Sequence, residues 1–124
     1  MSLAEDARRE VAAALARLIE RAGTEVPEEG QFEPIVERCH IVHPHYPVDV
    51  VTLRIGPAQG EGERRRFLDV RVATKGEGSD SSTWVHLATK GNLLALLRNE
   101  TTGLDAVVSA IEGSIESLHR FELK

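Results

Sequence analysis

The densest group of chemically capable side chains is Cys39-His40-Ile41-Val42-His43-Pro44-His45, a thiol and three imidazoles whose types suit zinc or copper. Their spacing argues against one shared metal centre. In an extended strand Cys39 and His43 point one way and His40 the other. His43 and His45, flanking Pro44 at a turn, reach a common ion most easily, with Asp49 as a third ligand. No Cys-x-x-Cys or His-Glu-x-x-His pattern accompanies them. The plainer reading is a core Cys39 beside solvated turn histidines, with no metal and no other cofactor expected.

Nucleophilic chemistry finds little support. Cys39 is the only thiol, and an apolar setting raises a thiol's pKa and makes it inert. Ser79, Ser81 and Ser82 lie in a loop-like stretch, and none sits in a Gly-x-Ser-x-Gly elbow. Gly60-Glu61-Gly62 and Gly76-Glu77-Gly78 are glycine-rich, but no helix follows either, and their acidic residues repel phosphate. Both read as hairpin loops. For acid–base work the best pair is Asp69 with His86, on strands expected to be neighbours, with Arg54 and Arg71 placed to flank Asp69 and keep it ionised. The plainer account of these residues is a cross-strand ion-pair ladder.

Such side chains need elements to hold them. Ala7, Val11, Ala14, Leu15, Leu18 and Ala22 recur at helical spacing and predict an N-terminal helix. Arg8, Arg9, Arg17, Glu20 and Arg21 lie mainly away from that stripe. Ser2 with Glu5 fits a capping box, although Met1-Ser2-Leu3 also reads as a cloning remnant, and Gly23 fits the helix stop. Four strand-like runs follow, at about 35–43, 48–55, 67–74 and 83–88, each rich in β-branched residues and bounded by turn residues. The connections are too short for crossover helices, so the strands form an antiparallel meander. A short apolar helix through Leu93, Leu94, Leu96 and Leu97 comes next. The last helix, capped by Thr102 and Asp105, carries Leu104, Val107, Val108, Ile111, Ile115 and Leu118 as its stripe. Gly113 inside it suggests close approach to another backbone. The order α-β-β-β-β-α-α predicts a single α+β domain, a two-layer sandwich with the N- and C-terminal helices on one face of a four-stranded antiparallel meander.

Alternation assigns the two faces. Cys39 and Ile41, Val51, Leu53 and Ile55, Leu68, Val70 and Val72, and Val85 and Leu87 fall on the apolar side. The opposite, mixed side carries Arg38 and His40, Thr52 and Arg54, Phe67, Asp69 and Arg71, and Trp84 and His86. Aromatic residues make up only 4% of the chain, so a tryptophan outside the core is a feature to explain. Trp and Arg are enriched at interface hot spots. Arg38, His40, Arg54, Phe67, Arg71, Trp84 and His86 are therefore the candidate partner-binding set. A one-residue slip in register would reverse the assignment.

Composition bounds the function. With 124 residues, 41% hydrophobic and 28% charged, the chain matches an ordinary globular domain. Its net charge of -5 disfavours a phosphate backbone, and Arg64-Arg65-Arg66 is the only basic run. A lone cysteine excludes an internal disulfide framework. No signal peptide and no membrane-length apolar run is expected, which points to the cytoplasm. The expected function is a small acidic protein-binding module of regulatory type, like an inhibitor, immunity factor or chaperone, with another protein as partner and neither nucleic acid nor membrane. A small enzyme using a His/Asp/Arg site on the sheet face is the first alternative. A homo-oligomer of structural role is the second.

Overall fold

The N-terminal apolar stripe folds as helix α1 (Glu5–Glu25), on which Ala7, Val11, Ala14, Leu15 and Leu18 are buried. The computed structural model describes residues 3–25, 33–44, 48–57, 66–74, 81–89 and 100–119. Ser2, Arg64, Arg65, His45 and the Leu93–Leu97 run lie outside the described residues, as do the side chains of Asp49, Phe67 and Thr102. Strands β1 (Ile35–His40), β2 (Val48–Pro57), β3 (Arg66–Thr74) and β4 (Val85–Thr89) precede helix α2 (Glu100–His119). The sheet is an antiparallel meander in the order β1-β2-β3-β4. No described helix is long and apolar enough to cross a membrane.

Register explains the layers. Cys39 pairs with Val51 and Val51 with Val72; Ile35 pairs with Ile55 and Ile55 with Leu68. Directly opposed residues share a face, so these side chains, with Leu53 and Val70, form one apolar surface. They join Val11 and Leu18 of α1 and Val107, Val108, Ile111 and Ile115 of α2 in a single buried cluster. Burying each such aliphatic side chain contributes about 1.5–3 kcal/mol. Both helices therefore lie on the same face of the sheet, as the amphipathic patterns require. Leu3 N–H donates to Glu112 Oε1 at 2.9 Å, and Arg8 pairs with Asp105. Polar clips thus hold α1 and the residue leading into it against α2.

Several local expectations need correcting. Helix α1 runs through Gly23 to Glu25, because Thr24 Oγ1 donates to the Arg21 carbonyl at 3.1 Å and satisfies a group that a helix end leaves open. β1 stops at His40 rather than reaching His43, and β2 shifts its register against β3 between Val48 and Val50. His43 is not a solvated turn residue: it is 7% exposed, next to the buried Ile41. Helix α2 begins at Glu100, and Asp105 binds Arg8 instead of capping. Gly113 meets no close backbone, since a Cβ there would have nothing within 4 Å. Its helix-interior cost is thus not offset by packing, and Gly113→Ala should raise unfolding stability by about 0.5–1 kcal/mol, read by chemical denaturation.

The β1 edge is closed by charge. Glu37 opposes Leu53 and so faces the helix layer, where Arg17 Nε donates to its Oε1 at 2.7 Å and Arg21 Nη1 to its Oε2 at 2.8 Å. The same arginines donate to two β1 carbonyls, Arg21 to Val36 at 2.9 Å and Arg17 to Arg38 at 3.3 Å. An inward charge and a covered rim are devices that stop edge strands from pairing with other chains. The Arg17 hydrogen bond, then that of Arg21, holds the Glu37 carboxyl below its ordinary value of 4.5. A lowered folded-state pKa stabilises above the unfolded value and loses that stabilisation as pH falls through the folded one. Glu37→Gln should therefore cost about 1 kcal/mol at neutral pH and flatten the acid limb of the stability profile below pH ~4.5. An unchanged acid limb in the variant would count against this assignment.

Candidate functional site

On the face away from the helices, three cross-strand neighbours form a row: Arg54 of β2 opposes Asp69 of β3, and Asp69 opposes His86 of β4. Alternation puts all three side chains on the mixed face. Asp69 is fully buried, with 0% exposure. Arg54 Nη2 donates to its Oδ2 at 2.5 Å, and His86 Nδ1 contacts its Oδ1. A carboxylate can stay in such a place only when its charge is matched and its lone pairs are used.

The adjoining row carries Arg38, Thr52 and Arg71. Here Trp84 adds the lid. It immediately precedes β4, so it lies outside the strand in which it was expected, yet it keeps the mixed side. Its ring lies 3.8 Å from the Arg54 guanidinium carbon and 4.6 Å from that of Arg71. Both distances are within the range of attraction between a cation and an aromatic face. The indole thus reaches across β3 toward β2 and packs on the arginine that binds Asp69. Trp84 itself stays partly exposed, as does Arg54 at 26% of its side chain, while His86 is 63% exposed.

The structure brings Arg54, Arg71, Trp84 and His86 together around Asp69. Arg38 is exposed on the same face, one strand away, opposite the buried Thr52. His40 stands apart: it ends β1 and lines a cleft of about 550 Å³ with Asp6 and Glu10 of α1. Phe67 opposes Gly56 and Thr89 in the ladder, and its side chain lies outside the described residues. The binding set drawn from the sequence omitted the organising residue, Asp69, although the Asp69–His86 pairing was legible as an acid–base pair. Of the two arginines expected to flank Asp69, Arg54 binds it and Arg71 packs on the indole.

The two faces differ in charge. The mixed face sets Arg38, Arg54 and Arg71 against Asp69 alone among its described strand residues. Helix α2 carries Glu100, Asp105, Glu112 and Glu116 without a Lys or Arg. An acidic chain thus displays a cationic sheet face. Cys39 lies on the opposite, apolar side, where burial pushes its thiol up to about 11, with Glu10 adding to the rise. Among the described residues, no three His, Cys, Asp or Glu side chains come together to hold a metal ion. Comparison of the chain with protein-family models, curated proteins and solved structures finds no match.

Proposed function

We propose that this protein is a binding module that docks an acidic segment of another protein on its mixed sheet face. One observation carries the reading: Trp84 is held on the guanidiniums of Arg54 and Arg71, outside the core and on the face opposite the two described helices. A rigid, partly exposed indole between fixed cations offers area and directional charge at low entropic cost, the makeup of an interface hot spot. With Asp69 already matched by Arg54 and His86, the positive excess from Arg71 and Arg38 faces outward and selects carboxylates. The role is regulatory by occupancy, as for an inhibitor, immunity factor or chaperone, and it is exercised in the cytoplasm, where a lone thiol stays reduced.

The test starts with affinity capture from the source cells using wild type, Trp84→Ala and Arg71→Glu, followed by calorimetry on the protein retained. Trp84→Ala should weaken binding by about 2 kcal/mol or more while leaving the far-UV circular dichroism intact. Affinity should also fall steeply with added salt. A partner that binds both variants as tightly as wild type, or whose contact segment is basic, would sink the proposal. So would a wild-type homo-oligomer that Trp84→Ala dissociates, which would assign the face to a second copy.

The His86–Asp69 contact favours a second reading, an acid–base site. A carboxylate on Nδ1 orients the ring of a largely exposed histidine, the pairing used in general acid–base chemistry. Substrate turnover abolished by His86→Gln but retained in Arg38→Glu would favour it over docking.

A further inference from the structure

The row of the mixed face beside Asp69 has a different balance of charge. Arg38 of β1 opposes Thr52 of β2, and Thr52 opposes Arg71 of β3. The Asp69 row sets a buried carboxylate between Arg54 and His86. This row sets a neutral, buried Thr52 between two cations. Neither Arg38 nor Arg71 makes an ion pair with a described residue. Neighbouring strands lie about 4.8 Å apart, so the two Cα atoms stand about 10 Å from each other. Two extended arginine side chains span that gap over the short threonine.

Trp84 steadies one of the two cations. The Arg71 guanidinium carbon lies 4.6 Å from the indole centroid. That contact draws on the charge of the guanidinium and supplies no oxygen to its planar fork of N–H donors. Arg71 is therefore held in place and still has donors to give.

We propose, on the basis of the docking reading above, that the docked segment presents a phosphorylated residue whose phosphoryl group sits between Arg38 and Arg71. A carboxylate has two oxygens and one charge, which a single arginine fork satisfies. A phosphoryl group carries about −1.5 to −2 charge at pH 7 and three strong acceptor oxygens, so it receives both forks and matches both cations. Nucleic acid also offers phosphates, but as an extended row that a chain of net charge -5 repels beyond this one spot.

Trp84 is the only tryptophan, so its emission reports on the site directly. The titration uses capped peptides Glu-Glu-X-Glu-Glu, with phosphoserine, serine or glutamate at X, and a short oligothymidylate. The phosphoserine peptide should bind at least about tenfold tighter than the serine form and about fivefold tighter than the glutamate form. Arg38→Gln and Arg71→Gln should each remove that advantage. Arg71→Lys, which keeps the charge without the fork, should weaken phosphopeptide binding about fivefold. Arg38 is exposed, so its variant reads binding without a loss of folding. Arg9→Gln, the same change of charge on the exposed side of α1, should bind as wild type. Equal affinity for the phosphoserine and glutamate peptides, both weakened by Arg71→Gln, would overturn the phosphoryl assignment and leave docking of an acidic segment standing. Phosphopeptide binding untouched by Arg38→Gln and Arg71→Gln would place the phosphoryl group elsewhere and overturn it. So would the absence of binding by any peptide. Oligothymidylate binding tighter than the phosphopeptide would give the face to nucleic acid and overturn both this assignment and the docking reading.

Discussion

Asp69→Ala should lower the free energy of unfolding by about 3 kcal/mol, because it takes the buried carboxylate away from the guanidinium bound to it. The carboxylate is fully buried and receives Arg54 at 2.5 Å and the His86 ring. Without it, the Arg54 guanidinium remains three-quarters buried beside Trp84 and loses the carboxylate it binds. Asp69→Asn keeps the shape and one acceptor oxygen, so it should cost less than Ala, about 2 kcal/mol. The decisive comparison is the double variant Asp69→Leu/Arg54→Met. Replacing both charges by apolar groups of similar volume is often neutral, so the double variant should be more stable than Asp69→Ala alone. Urea unfolding followed by far-UV circular dichroism reads all three without relying on the indole that packs on the cluster. If Asp69→Ala unfolds at the wild-type midpoint, the carboxylate is not held as described, and the rigid platform beneath Trp84 goes with it.

That platform separates stability from the docking we propose. Asp69 sits beneath the surface and holds Arg54 in place; Trp84 and Arg71 sit above it, where a partner can touch them. Losing Trp84 removes contact area but leaves no charge buried without a partner, so its effect should appear in binding and barely in unfolding. Losing Asp69 should disturb both. The arrangement also explains how an acidic chain keeps a cationic face. The single carboxylate among its described strand residues is buried and already matched, whereas the acids of α2 lie across the sheet on the other side.

The strand faces were legible because alternation is a local, repeated signal: Val51, Leu53 and Ile55 read as one face, and the ladder places them so. The helical stripes carry the same kind of signal at a longer period. What the sequence did not reveal comes from single long-range contacts without periodicity. Arg17 and Arg21 read as solvent-facing helix residues, yet they bind a strand that begins fourteen residues beyond Arg21. Val85 and His86 keep their expected faces, but β4 gains an extra residue, Leu87, where the register shifts between Leu68 and Asp69. Trp84 stays on the mixed side because that shift falls after it. His43 read as solvated from its proline-flanked turn, and burial beside Ile41 is a tertiary outcome that turn chemistry does not encode.

Leu53→Ala should cost about 3–4 kcal/mol, the largest loss expected from truncating one side chain in this sheet. Leu53 is 0% exposed in a central strand, opposed by Glu37 on one side and Val70 on the other. Its neighbours belong to a rigid sheet and to α1, so the space it leaves cannot collapse fully, and the lost contacts add to the lost transfer energy. Arg38→Ala is the control, since it sits on the adjacent strand but on the exposed side and should change stability by less than about 0.5 kcal/mol. A slip of one residue would exchange the two faces and reverse this ordering. Equal midpoints for the two variants would therefore refute the placement of the helices on the Leu53 side, and with it the exposure of Trp84, Arg54 and Arg71 on which the proposed docking depends. A large loss for Leu53→Ala with partner affinity unchanged in the folded fraction would show that the core and the docking face are energetically separate.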